Sequence, residues 1–109
     1  MKASDILEFS DLKTKVIKVK EWDCKLTIRE LGLSDGLKMF DFVVDTDDKP
    51  TMAAEDVAQV IAWGVIDPET SERVFSDDDV AALAAKNSKA MMFVYREIMS
   101  LSGGEAEKN

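Results

Sequence analysis

The chain has no histidine, a single cysteine and no apolar run of membrane-spanning length, and each absence removes a class of function. Without histidine a zinc site of ordinary ligand type is excluded, and Ser34, Ser76 and Ser88 lack the base that would activate a hydroxyl. Cys24 alone cannot form an intrachain disulfide, so a reducing cytoplasm is the expected location. No stretch approaches the roughly 18 apolar residues of a membrane span. The start, "MKASDILEFSDLK", places acids where a signal peptide needs an apolar segment, so a soluble, unsecreted protein with no membrane partner is expected.

What is present is a balance of 46% hydrophobic and 33% charged residues over 109 positions. A chain of that size buries roughly 65% of the surface its unfolded form exposes, enough for one core. One α+β domain over residues 1–102 is expected, with 103–109 as a disordered polar tail. The net charge of -8 is unevenly spread. Residues 1–40 carry 8 basic and 7 acidic groups, residues 41–79 carry 2 and 12, and residues 80–109 carry 4 and 3. The acidic middle repels phosphate backbones, which argues against nucleic acid as a partner.

"KTKVIKVKEWDCKLTI", residues 13–28, alternates apolar and polar side chains on both sides of a polar break. Ile17 and Val19 oppose Lys18 and Lys20, while Cys24, Leu26 and Ile28 oppose Lys25, Thr27 and Arg29, which predicts a β-hairpin turning at residues 21–23. Ser34, followed by Asp35, is positioned to cap a helix over about 34–44, with Leu33, Leu37, Phe40 and Val44 on one face. Met39, Phe42 and Val43 point elsewhere, so this helix is apolar on two sides and needs a second covering surface. "DTDDKPT" is a polar connector, after which a second helix is predicted over about 52–63 with Gly64 ending it. "VIDPETSERVF" places Val65-Ile66 and Val74-Phe75 about a proline turn as a miniature two-strand excursion. Ser76 with Asp79 then forms a capping-box variant opening a helical region that extends to about Leu101, with Asn87 and Ser88 as a candidate break. The predicted class is therefore α+β, with an N-terminal β-hairpin or small antiparallel sheet followed by three or four helices.

None of the polar clusters reads as chemistry. In "DTDDKPTMAAED" the spacing of Asp45, Asp47 and Asp56 resembles a calcium loop, but Lys49 stands at a ligand position and Pro50 at the turn glycine. Asp77, Asp78 and Asp79 point in different directions at a helix start, where they act as caps. No catalytic, metal or cofactor-binding residue is expected. The candidates are instead surface groups for partner binding: Trp22 at an exposed turn, Met39, Phe42 and Met92 off the main apolar stripes, and Phe93 among basic residues. Self-association is expected to pair Lys15, Lys18 and Arg29 of the hairpin with Asp47 and Asp48 of the acidic band, head to tail between copies.

The order of "ILEFSDLKTKVIKVKEWDCKLTIREL", a short capped helix, and "WGVIDPETSERVFSDDDVAALAAKNSKAMMFVYREIMSLSGG" resembles the tail assembly chaperones of long-tailed bacteriophages. The resemblance runs from about Ile6 to Gly104. It rests on the Asp-Leu-Lys start, the Glu21-Trp22 turn, Arg29-Glu30-Leu31 closing the second strand, and Asp67-Pro68 to Phe75 leading into Asp79 and Leu83. It departs from that pattern at Lys20, where proline is frequent, and at Ser71, where glycine is common. The resemblance implies a phage or prophage protein, present in the host cytoplasm and absent from the mature virion. Such a protein binds the tape measure protein, keeps it soluble and helps recruit tail tube subunits as a homo-oligomer of ring-like form. The residues alone also admit a small acidic inhibitor or adaptor that binds a single host protein.

Overall fold

The computed structural model describes residues 2–9, 11–39 and 53–102. A short helix α1 (Ala3–Leu7) leads into strand β1 (Thr14–Val19), a single 3-10 turn at Lys20–Trp22, and strand β2 (Cys24–Arg29). Helices α2 (Leu33–Lys38) and α3 (Ala54–Gly64), strand β3 (Val65–Ile66), a second 3-10 turn at Asp77–Asp79, and helices α4 (Val80–Ala84) and α5 (Ser88–Leu101) complete the order. The expected α+β class stands: a small antiparallel sheet is followed by four helices among the described residues, with α1 as an extra short helix before the hairpin.

The hairpin forms where the period-2 pattern predicts. β1 pairs antiparallel with β2 from Thr14 opposite Arg29 to Val19 opposite Cys24. Asp23 takes the left-handed conformation at φ 49 that closes the turn, which a short polar side chain tolerates without glycine. Residues facing each other across the ladder share a face, so Lys15, Ile17 and Val19 lie with Ile28, Leu26 and Cys24 on the inner face. β3 adds to the other side of β2 through Thr27–Ile66 and Ile28–Val65, giving the order β1-β2-β3.

The inner face lies against α5, which also packs on α3; α4 completes the layer over α3. Val19, Ile28, Val60, Ile61, Val65, Val94 and Ile98 are fully buried and form the centre of this core. At roughly 1.5–3 kcal/mol for each fully buried aliphatic side chain, this cluster is the dominant favourable term of the fold. Trp63, near the end of α3 beside them, is also buried.

Two local expectations are corrected. Ser34 does not cap α2: Gly32 precedes the helix and Ser34 is its second residue. Glu30 N donates to Lys13 O at 2.9 Å and Leu31 N to Ser102 Oγ at 3.0 Å, so the chain is already fixed just before Gly32. Leu33 and Leu37, expected on a covered face, are exposed, Leu33 by 78%. Gly64 ends α3 as expected: it is the last helical residue, and Val65 leaves in extended conformation. Its missing side chain has a second use, because a Cβ there would lie 2.6 Å from Ile98 Cδ1. The expected continuation of the first helix through Phe40 and Val44, the start of the second at Met52, and the tail at 103–109 lie outside the described residues.

Two further local signals hold. Ser76 N donates to Asp79 Oδ2 at 2.8 Å and Asp78 N to Ser76 Oγ at 3.2 Å, as a capping box requires. The last helical region does break at Asn87, whose Oδ1 accepts from Ala90 N at 3.0 Å and caps α5. The proline excursion is one strand and a single bridge, Ile66 to Arg73, rather than two strand pairs.

Candidate interaction surface

Asp56, Asp67, Asp77 and Asp79 of the acidic middle segment serve structure as acceptors of local hydrogen bonds. Asp67 Oδ1 accepts from Glu69 N at 2.8 Å and Asp67 O from Ser71 N at 2.7 Å, closing the turn after Pro68. Ser71 there holds φ 64, a conformation glycine adopts without cost. Arg73 ties the return arm down: Nε donates to Ala62 O at 3.0 Å and Nη2 to Asp77 Oδ1 at 2.8 Å. That guanidinium bond, with the Gln59 amide, holds the Asp77 carboxyl below the usual aspartate range. Burial pushes the Tyr95 phenol up. Among the described residues no three His, Cys, Asp or Glu side chains are grouped to hold a metal ion, and no helix is long and apolar enough to cross a membrane.

The outward features are apolar or basic. The N-terminal arm exposes Ile6 by 60%, Leu7 by 82% and Phe9 by 69%, interleaved with the exposed acids Asp5, Glu8 and Asp11. On the outer face of the sheet Lys18 stands directly opposite Lys25, a like-charge pairing that costs several tenths of a kcal/mol. A third feature is a cleft of about 120 Å³ between α3, α4 and the first turn of α5. Ala54, Val57, Ala84, Met91 and Met92 line it, and Lys86 is the one charged side chain among its described lining residues. It is smaller than the roughly 300 Å³ at which small-molecule sites begin, but has room for one apolar side chain.

The candidate residues are dispersed over these features. Trp22 is half-buried and folds from the hairpin turn onto the core beside α5, and Met39 and Phe93 are likewise half-buried against the core. Met92 lines the cleft. Lys15 is on the inner face and its Nζ meets Glu97 Oε1 of α5 at 2.7 Å. Arg29 is half-buried with Nη1 3.4 Å from Ser71 O, and Lys18 is exposed. Phe42, Asp47 and Asp48 lie outside the described residues. Sequence reasoning passed over Ile6, Leu7 and Phe9, although "ILEF" between acids is an apolar cluster; it also passed over Val57 and Ala84 as the walls of a cleft.

No protein-family profile and no curated protein matches the chain. Among solved structures, the bacteriophage HK97 tail assembly chaperone is similar, with a TM-score of 0.67 over 93% of this chain and 98% of that one at 17% sequence identity. The two chains therefore share a fold over nearly their full lengths, the fold of the very group that the Asp-Leu-Lys, Glu-Trp and Asp-Pro segments resemble.

Proposed function

We propose that this protein is a non-catalytic tail assembly chaperone of a long-tailed phage or prophage. It binds the tape measure protein in the host cytoplasm, keeps it soluble, helps recruit tail tube subunits around it, and is left out of the mature virion. The observation that carries this reading is the fold shared with the HK97 chaperone across almost the whole of both chains. The surface chemistry supports it: exposed Phe9, Leu33 and Leu37 offer apolar contacts to helical segments of a long partner. Self-association into a homo-oligomer gives such contacts in repeated copies, which suits a partner that is itself long.

Co-expression tests it. A tape measure protein from the same phage is expected in the soluble fraction when this chain is present and in the pellet when it is absent. Equal insolubility with and without the chain refutes the chaperone reading. Isolation of a stoichiometric complex with one host protein instead would establish the inhibitor or adaptor class.

A further inference from the structure

Two features described above fit one another. The arm presents an apolar side chain, Leu7, almost fully in solvent and flanked by Glu8 and Asp5. The cleft between α3, α4 and α5 is apolar, has the volume of one side chain, and bears Lys86 at its rim, with the exposed Lys89 as the second residue of α5. Knob and hole thus match in size and carry opposite charge. Within one chain they are placed at different ends of α5. The arm joins the fold where Lys15 meets Glu97 and where Leu31 N meets Ser102 Oγ, whereas the cleft opens at Ser88 to Met92. Roughly 10–15 Å of helix separates these ends.

We propose that the N-terminal arm of one protomer inserts Leu7 into the methionine-lined cleft of the next. The joint deepens the self-association in the function proposed above and rests on that reading. Because the knob and the hole are different surfaces of the same chain, the contact is heterologous: each added copy leaves one arm and one cleft unfilled. Met91 and Met92 suit the hole, since their unbranched side chains adjust to the knob that enters. The alternative pairing of hairpin cations with acids of another copy is weakened, because Lys15 already meets Glu97 and Arg29 is half-buried beside Ser71.

The test separates knob from hole. Leu7→Asp removes the knob from an exposed position, and Ala54→Trp fills the mouth of the hole from the exposed first turn of α3. Light scattering is expected to find a concentration-dependent multimer for the unaltered chain and, for each variant alone, the 12.1 kDa chain mass. Mixing the two variants is expected to give twice that mass and no more, since the mixture holds only one working arm and one working cleft per pair. Should circular dichroism show Ala54→Trp unfolded, Lys86→Glu replaces it, with weakened self-association expected. A monomeric unaltered chain, variants that still multimerise, or a mixture that stays at one chain mass each overturn the joint. If such a result accompanies a tape measure protein still held soluble by Leu7→Asp, the joint fails and the chaperone reading stands.

Discussion

Gly64→Ala gives the most direct measure of how closely α3 and α5 approach. An added Cβ would stand 2.6 Å from Ile98 Cδ1 and 3.0 Å from both Cγ1 and Cγ2. Rotating the end of the isoleucine relieves only the Cδ1 contact, because Cγ1 and Cγ2 are both fixed to its Cβ. Ile98 is fully buried, so the side chain has no solvent to move into. Overpacking of this kind costs about 1–3 kcal/mol, against a gain of up to about 1 kcal/mol when alanine replaces glycine in a helix. A net loss of about 1–2 kcal/mol is expected, read as a lower urea midpoint at fixed protein concentration with an unchanged slope. Ile98→Val removes the Cδ1 methyl and costs about 0.5–1.5 kcal/mol by itself. The double variant should be more stable than the sum of the single losses by about 1 kcal/mol, because the closest contact is gone. If Gly64→Ala raises stability and the cycle shows no coupling, the helices are not in contact here and the packing argument fails.

Ser71→Gly should stabilise the fold by about 0.5–1 kcal/mol, because Ser71 holds a left-handed φ that costs a side-chain-bearing residue about 1–2 kcal/mol; thermal denaturation reads it as a Tm rise of a few degrees. Asn87→Ala should cost about 1 kcal/mol by removing the bond from Ala90 N, while Asn87→Ser should retain most of it; equal losses in urea midpoint would show that the cap is not used. The lowered pKa of Asp77 sets a pH dependence: its ionised form is favoured in the folded chain, so its contribution is present above the ordinary value of 3.8 and is lost as pH falls through the lower folded value. The stability gap between the unaltered chain and Asp77→Asn should therefore hold near neutral pH and shrink below 3.8; a gap that widens on acidification contradicts the Arg73–Asp77 geometry.

Elements whose signals are local were legible in the sequence. The alternation around Val19 and Leu26 encodes both the strand and its buried face, and the Ser76–Asp79 spacing encodes a cap, since each depends on neighbours a few residues away. Gly64 signals the end of α3, but its second use, as room for another helix, is not legible because Ile98 is 34 positions distant. Lys15 looked like a surface cation for the same reason. Its partner Glu97 is 82 residues away, and only the packing of α5 on the sheet brings them together. As for the surface, amphipathic spacing shows that Leu33 and Leu37 share a side but not whether the chain supplies a cover for it. The arm was the least legible part, because an exposed leucine is defined by tertiary contacts it does not make.

β1 is the outer strand of its sheet, and a sheet edge offers backbone groups to any strand that approaches. The segment that forms this rim carries Lys13, Lys15, Lys18 and Lys20 within eight positions. Two such rims aligning antiparallel would place rows of ammonium groups against each other, a repulsion that charge-charge contact at strand spacing makes felt before hydrogen bonds can form. The lysines thus act as a guard against edge-to-edge annealing, a hazard that grows with protein concentration. Replacing them with apolar residues would remove that repulsion from the edge.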